Sequence, residues 1–276
     1  MEHGLAPVAP HPAASAAPAL DEGAALRADE CGRAGAQASH DARNERTARL
    51  IGHDGVKRLA SARVAVFGLG GVGSSCAEAL ARAGVGTLIL IDRDEVEESN
   101  INRQALAFYS TIGRRKAEVM AAMVRDIAPA AQVIAHDAFV TEDCVGEFLD
   151  ERVDYIVDAV DTVTTKLALA AYAEAHGIAY VGSMGAANKR YPEALRFADI
   201  YRTQTCPLCR AVRKQARKRG IGRMRVLYSS EQPVAVAAAP GAERRERTEL
   251  GTLSFMPPIM GQMIAGDVIK SIVGID

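Results

Sequence analysis

The chain has 276 residues, 49% of them hydrophobic and 24% charged, and its net charge is −1. This length allows one large α/β domain or two small ones, and the composition is typical of a soluble globular protein. The near-neutral charge excludes a protein that is polybasic as a whole, so any contact with nucleic acid has to come from a local patch.

The composition also bears on location. No apolar run reaches the ~20 residues that a membrane-spanning helix needs, so we expect no membrane partner. The cysteines are odd in number and scattered, which is not a disulfide framework and indicates a reducing, cytoplasmic environment. They are Cys31, Cys76, Cys144, Cys206 and Cys209.

Residues 1–43 are rich in Ala, Pro, Gly and acidic residues and nearly lack bulky apolar side chains. Such a segment cannot bury enough surface to offset the entropy of ordering it. We therefore predict a disordered N-terminal extension, which also lacks the basic and apolar regions of a secretory signal. Residues 44–276 are predicted to form one domain.

Apolar strands alternate with helical segments from Arg63 onwards. Strands that are apolar without strict alternation, and that helices separate, indicate a parallel sheet covered on both faces. The predicted fold class is therefore α/β, a Rossmann-like, doubly wound, mainly parallel sheet that binds its ligand at the carboxyl ends of the strands. The predicted strands are 63–68, 87–92, 132–137, 155–161 and 178–183, and the predicted helices are 71–83, 113–129, 141–150 and 162–176.

The pattern changes after residue 183. We predict further strands at 194–203 and 224–229, with a basic insertion at about 202–225 between them. Residues 235–250 are low in complexity and are predicted to form a mobile loop. An amphipathic C-terminal helix is predicted at 257–274.

The stretch AVFGLGGVGSS, residues 65–75, predicts a phosphate-binding turn between a strand and a helix. Gly68, Gly70 and Gly73 satisfy G-x-G-x-x-G, which allows a tight turn and brings backbone N–H groups to a phosphate. Asp92 ends the next strand, where an acid accepts hydrogen bonds from ribose hydroxyls. These residues fit NAD and ATP equally, and a purely structural glycine turn also fits.

Polar residues downstream favour ATP. Asn100, Arg103, Lys116 and Asp161 follow strand ends or begin helices on the ligand side of the sheet. A hydride-transfer site needs an apolar nicotinamide pocket, whereas two cations and a carboxylate suit charge neutralisation at phosphorus and a Mg²⁺ ligand. Taken singly, each residue also has a structural reading, as a helix cap or as a solvated charge.

The motifs GLGGVGS, DRDEVEESNINRQ (92–104), Lys116 and DAVDT together resemble the adenylating domain shared by ThiF, MoeB and ubiquitin-activating enzymes. The resemblance implies transfer of AMP from ATP to a carboxylate in a homodimer. It implies that Gly70 and Gly71 lie along the phosphates and that Asp92 holds the ribose. The triphosphate would be bound by Asn100, Arg103 and Lys116, and Mg²⁺ would be held by Asp161. Arg49 would reach the ATP of the neighbouring subunit. We assign Gly68, Gly73 and Asp94 to the same nucleotide site.

Residues 183–233 resemble the tRNA threonylcarbamoyladenosine dehydratase family. The resemblance implies that ATP activates the carboxylate of that modified adenosine, next to the anticodon, and that the ring closes with net loss of water. It implies tRNA as the partner, with a cysteine desulfurase system as a further candidate. The nine cations and no acids of residues 202–225 agree, because phosphate contacts supply affinity without reading sequence. A solvated basic helix also fits them.

Two alternatives stay open. One is adenylation of a small ubiquitin-like sulfur carrier of the ThiS or MoaD type, and the other is an NAD(P)-dependent oxidoreductase. Relatives of the first kind often carry two C-x-x-C pairs that bind zinc, whereas this chain has only Cys206 and Cys209, so we expect no zinc. A covalent role for Cys206 also stays open, although intramolecular ring closure needs no enzyme thiol.

Overall fold

The structure, a computed structural model, describes residues 42–149, 152–235 and 250–275. The chain divides into two units, Met1–His40 and Asp41–Asp276, and all described residues belong to the second unit. The predicted extension 1–43 lies outside the described residues except for its end, where Ala42–Asn44 form a 3-10 helix. Most of the predicted mobile loop 235–250 also lies outside the described residues.

One seven-stranded sheet forms the centre of the fold, in the order β3-β2-β1-β4-β5-β7-β6. All neighbouring strands are parallel except β6, which runs antiparallel to β7 at one edge. The predicted class, a Rossmann-like and mainly parallel α/β sheet, is confirmed. The strands are β1 (Arg63–Phe67), β2 (Thr87–Ile91), β3 (Gln132–His136), β4 (Tyr155–Asp158), β5 (Ala179–Ser183), β6 (Leu195–Asp199) and β7 (Arg225–Ser229).

Six α-helices flank this sheet in the described part of the chain. They are α1 (Glu45–Ser61), α2 (Gly71–Ala83), α3 (Lys116–Ile127), α4 (Val163–His176), α5 (Pro207–Lys218) and α6 (Met256–Val273). None of the helices that can be described is both long and apolar enough to cross a membrane.

The core lies on both faces of the sheet because its central strands are mostly apolar. All residues of β1 and β2 are buried, which is typical of strands covered on two sides. On one face α2 packs closely against α6, where a Cβ on Gly261 would overlap the carbonyl oxygen of Val72. This tight packing fixes the start of α2, and with it the loop that follows β1.

Several predicted elements differ from the structure. The predicted strand 155–161 ends at Asp158, and the predicted helix 113–129 is shorter at both ends, Lys116–Ile127. The predicted helix 141–150 is a 3-10 helix over Glu142–Phe148. The predicted strand 194–203 ends at Asp199 and continues as a 3-10 turn, Ile200–Arg202, because the Asp199 carboxylate accepts from the backbone N–H of Tyr201. The C-terminal helix α6 is buried on more than one face rather than simply amphipathic, because it packs against both α1 and α2.

Candidate active site

The loop between β1 and α2 brings backbone N–H groups to the carboxyl end of the sheet. Gly68 has φ +84°, a conformation that favours glycine. Gly70 caps the N-terminus of α2, whose first N–H groups have no partner within the helix. No atom lies within 4 Å of where a Cβ on Gly70 would be, so its side opens towards the cavity. Such a helix start attracts anions.

The other two glycines of the loop serve packing. A Cβ on Gly73 would overlap the carbonyl oxygen of Gly68. A Cβ on Gly71 would lie 2.7 Å from the side chain of Pro257 on α6. Gly71 still lines the cavity, whereas Gly73 does not. The motif therefore contains one glycine that is open to a ligand and others that let the turn, α2 and α6 approach one another.

Asp92 lies directly after β2 and faces the glycine loop. Its carboxylate accepts hydrogen bonds from the backbone N–H groups of Leu69, at 2.5 Å, and Asp94, at 2.8 Å. Burial raises the pKa of Asp92, and these two hydrogen bonds and the nearby Lys116 oppose that rise. The carboxylate is thus fixed to the glycine loop at the edge of the cavity.

Lys116 is the first residue of α3 and is buried. Its Nζ lies 3.1 Å from Oδ2 of Asp94, and its backbone N–H donates to the carbonyl oxygen of Asp94. The Asp94 carboxylate is 56% exposed and belongs to the cavity wall. A buried ammonium with a solvent-exposed partner can be shared with an incoming anion, because the ion pair itself is only partly desolvated.

Asn100 and Arg103 lie in the turns that follow β2. Oδ1 of the buried Asn100 accepts from the backbone N–H of Glu97 at 3.2 Å, which is a local cap. The Arg103 guanidinium donates to the carbonyl oxygen of Ser99 at 3.0 Å and to Oδ1 of Asn102 at 2.9 Å. Both residues nevertheless line the cavity, so the capping role and a ligand-binding role do not exclude one another.

Asp161 follows β4 and is exposed at the mouth of the cavity, where the Thr162 hydroxyl donates to it at 3.2 Å. Asp158 at the end of the same strand is fully buried. Its carboxylate lies 3.0 Å from Nζ of Lys166 and accepts from the Tyr180 hydroxyl at 2.6 Å and from the backbone N–H of Val160 at 3.2 Å. This buried network fixes the loop that carries Asp161.

One cavity of about 640 Å³ unites these residues. Its size lies within the range of small-molecule sites, ~300–1,000 Å³. Of the predicted site residues, it is lined by Gly68, Gly70, Gly71, Asp92, Asp94, Asn100, Arg103, Lys116 and Asp161.

Arg49 lies elsewhere, exposed on α1, with its guanidinium 3.8 Å from the Glu45 carboxylate. It does not line the cavity of its own chain.

Sequence reasoning missed two features of the cavity. Gln104 is buried in its wall, and Oε1 of Gln104 has no hydrogen-bond partner in the described part of the chain. Phe139 lies beyond β3 with its ring half-exposed, and the Arg93 guanidinium stacks on it at 4.3 Å. Phe139 belongs to no motif, and Gln104 ends the motif 92–104 without any sign in the sequence that its side chain is buried, so only the folded chain reveals these two features.

The basic insertion contains two kinds of cation. Some are structural: Arg225 forms a bidentate pair with Asp267 on α6, and Arg213 donates to Thr203. Arg219 pairs with Glu142 at 2.7 Å. The others are exposed and have no ion-pair partner among the residues described, and they are Arg202, Arg210, Lys214, Lys218 and Arg223. Arg217 stacks on the Tyr201 ring at 5.4 Å. The exposed cations lie on and around α5.

Comparisons with known proteins agree with this arrangement. The ThiF family model matches residues 42–276. A tRNA threonylcarbamoyladenosine dehydratase of Bacillus subtilis is 38% identical over 231 residues, which cover 80% of this chain and 91% of that protein. The Escherichia coli protein of the same name is 41% identical over 61% of this chain and 63% of its own. A crystal structure of the E. coli dehydratase, TcdA, in complex with ATP matches with a TM-score of 0.77 and 32% identity, covering 84% of this chain and 94% of that one.

Proposed function

This chain belongs to the ThiF family, and from that premise we propose that it is an ATP-dependent tRNA threonylcarbamoyladenosine dehydratase. It adenylates the carboxylate of the threonylcarbamoyl group next to the anticodon and releases pyrophosphate. The carbamoyl group of the same molecule then attacks the activated carbon and displaces AMP, so that the nucleoside loses one water overall as the ring closes. The observation that carries the proposal is the single cavity in which a helix N-terminus, two predicted phosphate-binding cations and carboxylates meet. Residues 44–276 act as one adenylating domain in the cytoplasm.

The glycine loop and Asp92 bind ATP in this proposal. The open side of Gly70 and the first N–H groups of α2 receive phosphate oxygens. Each carboxylate oxygen of Asp92 accepts a hydrogen bond from one backbone N–H group, and each keeps a further lone pair that can accept from a ribose hydroxyl. The bonds to Leu69 and Asp94 therefore fix the ribose relative to the phosphates.

Arg103 and Lys116 stabilise the charge that develops when the substrate carboxylate attacks the α-phosphorus. When the carboxylate attacks in line with the departing pyrophosphate, negative charge builds on the oxygens of the α-phosphate in the transition state. Fixed cations lower the free energy of this transition state more than that of the ground state. Asn100 donates its amide to the triphosphate while its Oδ1 keeps the turn closed. The cations are held in place by Asp94 and Ser99 before ATP arrives.

Asp161 is the proposed Mg²⁺ ligand. Mg²⁺ prefers oxygen ligands and is usually held by one or two carboxylates together with substrate phosphates. The exposed Asp161 carboxylate fits this preference, and the unpartnered Oε1 of buried Gln104 is a second oxygen in the same wall. The ion would supply charge neutralisation at the triphosphate, and the chain's own part is to hold the Asp161 loop in place through Asp158.

The exposed cations around α5 bind the tRNA backbone. Lys214 and Lys218 are one helical turn apart and Arg210 lies one turn before Lys214, so they share a face of α5. Contacts of this kind orient the tRNA without reading its sequence. The modified base itself is then recognised in the cavity.

We further propose a homodimer in which Arg49 reaches the ATP of the neighbouring subunit. Its exposed side chain outside its own cavity supports action in trans. Mixing Arg49→Ala with Asp161→Ala subunits should restore part of the activity in mixed dimers, and no recovery would favour action within one chain. A cysteine desulfurase system stays a predicted partner.

The decisive experiment is incubation of the protein with ATP, Mg²⁺ and tRNA that bears threonylcarbamoyladenosine. Mass spectrometry of the digested tRNA should show that nucleoside replaced by a product lighter by one water. Asp161→Asn should abolish the change, and Asp54→Asn, an exposed carboxylate on α1, should not. An unchanged nucleoside would contradict the proposal. Pyrophosphate exchange that needs a protein ending in Gly-Gly instead would indicate a sulfur-carrier substrate.

ATP binding can be tested apart from tRNA with a matched pair of glycines. Gly70→Ala and Gly266→Ala each add one methyl group where no atom lies within 4 Å, and only Gly70 lines the cavity. Both variants should fold, because neither glycine has a positive φ. Calorimetry should show weaker ATP binding for Gly70→Ala alone, and equal affinities for the two variants would place the phosphates elsewhere.

A further inference from the structure

Cys206 and Cys209 meet at the N-terminus of α5. Cys206 is the N-cap residue, and its Sγ accepts from the backbone N–H of Cys209 at 3.5 Å. The two side chains are close enough that the ionisation of each thiol affects the pKa of the other. Both are free cysteines, and neither lines the nucleotide cavity, so the proposed reaction does not use them.

The surroundings of Cys206 favour its thiolate form. The neighbouring Cys209 thiol, the backbone N–H groups of Cys209 and Leu208 and the charge of Lys189 lower the pKa of Cys206 to about 6, although burial of the thiol opposes this shift. Interaction with Cys206 and burial both raise the pKa of Cys209, which keeps its proton. Lys189 is a buried ammonium whose Nζ donates to the carbonyl oxygen of Glu231. A thiolate at a helix N-terminus beside a cation is the arrangement found in reactive cysteines.

The turn that precedes Cys206 is strained. Thr205 has φ +60°, which is unusual for a β-branched residue. The backbone N–H of Cys206 donates to the carbonyl oxygen of Gln204 at 2.6 Å, which closes a three-residue γ-turn. A γ-turn whose central residue has a positive φ, as Thr205 has, is rare and strained. Opening of this turn would expose Cys206, which is otherwise buried, and release of the strain would offset part of the cost.

We propose that Cys206 and Cys209 form a redox-active dithiol that exchanges with small-molecule disulfides and closes a reversible disulfide. The Cys206 thiolate attacks one sulfur of a glutathione-type disulfide, which forms a mixed disulfide and releases the first thiolate. The Cys209 thiol gives its proton to that thiolate or to water and attacks Sγ of Cys206, releasing a second thiolate that takes up a proton. Two protein thiols are thereby oxidised, and one disulfide is reduced to two thiols.

The other described cysteines lack this arrangement. Cys76 is fully buried in the core between α2 and its neighbours, and burial raises the pKa of its thiol. Cys144 is half-buried, and its Sγ contacts Thr141 and the carbonyl oxygen of Phe139. Neither has a second thiol beside it, so a disulfide within the described chain is expected at Cys206 and Cys209 alone.

The test equilibrates the full chain in glutathione buffers of increasing oxidised-to-reduced ratio, followed by acid quenching, alkylation and peptide mass spectrometry. The peptide with Cys206 and Cys209 should pass through one transition, in which it loses two hydrogen atoms and escapes alkylation at both positions. Cys209→Ser should stop at a glutathione adduct on Cys206, and Cys206→Ser should form neither species. Cys144→Ser is the matched control and should leave the transition unchanged.

Full alkylation of both cysteines at every ratio, in protein that circular dichroism shows to be folded, would overturn the proposal. So would an adduct that forms first on Cys209. The wild-type titration needs no variant to fold, and it is independent of tRNA and ATP, so its outcome is separate from that of the proposed function.

Discussion

Substitution of Lys166 by methionine tests how much the buried network beneath the Asp161 loop contributes to stability. The side chains of Lys166 and Asp158 are both fully buried, and their charged groups lie 3.0 Å apart. Removing one partner of a buried ion pair leaves an uncompensated charge and costs ~3–5 kcal/mol. The lost donor to the carbonyl oxygen of Ser183 adds to this cost.

Urea unfolding of wild type and Lys166→Met gives the difference in the free energy of unfolding directly, provided that the slope with denaturant is unchanged. We expect Lys166→Met to lose about 3–5 kcal/mol. The double variant Asp158→Asn, Lys166→Met removes both charges and should be more stable than Lys166→Met alone, because no buried charge remains unpaired. Lys57→Met, which removes one partner of an exposed pair on α1, is the control and should change stability by about 0.5 kcal/mol or less.

A loss in Lys166→Met as small as that in Lys57→Met would refute this reasoning, because it would mean that Asp158 does not depend on Lys166 as its partner in the folded chain. Activity provides a second readout. Val160 lies one residue before Asp161 in the chain, and its backbone N–H donates to the Asp158 carboxylate. Loss of the Lys166 contact should therefore disturb the Asp161 loop and lower kcat for dehydration in the molecules that remain folded.

Gly73→Ala should prevent normal folding, because its Cβ would overlap the carbonyl oxygen of Gly68; circular dichroism and the unfolding midpoint check this. Lys214→Ala and Lys218→Ala should each weaken tRNA binding and reduce the slope of log affinity against log salt by about one, measured by filter binding. Burial raises the pKa of Asp92, so its proton stabilises the folded state at low pH, and this contribution is lost as the pH rises through the raised pKa. Between the ordinary pKa of an aspartate and the raised pKa of Asp92, the free energy of unfolding of wild type should therefore fall with rising pH relative to that of Asp92→Asn.

The sequence predicted the sheet well because its central strands are buried on both faces and therefore mostly apolar. β1, β2 and α2 lie within a residue of their predicted limits. No helix was predicted before β1, yet α1 covers Glu45–Ser61. Its sequence is polar and is interrupted at Gly52, where φ is +73° and the helical dihedrals break, so local propensity does not indicate a helix. The packing of α1 against α6 stabilises it instead.

The predicted site residues could be assembled from sequence because parallel strands place their carboxyl ends at one edge, so residues far apart in the chain meet there. What the sequence could not show is which side chains are buried. Lys166 and Gln104 are ordinary polar residues in the sequence. Only tertiary packing makes Lys166 a buried ion-pair partner and leaves Oε1 of Gln104 without a hydrogen-bond partner among the described residues. The same limit applies to the basic insertion, where Arg225 is structural because Asp267 lies beside it.

The glycine motif shows why a nucleotide cannot be identified from such a loop alone. Gly73 and Gly68 are required by backbone contacts and by a positive φ, which any tight turn from strand to helix imposes whatever its ligand. Gly70 is the one glycine of this motif at which a side chain would meet no protein atom within 4 Å. The open space beside it gives a phosphate access to the backbone, which serves NAD and ATP alike. The distinction has to come from the chemistry opposite the loop. There Arg103, Lys116 and Asp161 line the same cavity, and two cations beside a carboxylate suit phosphoryl transfer better than hydride transfer.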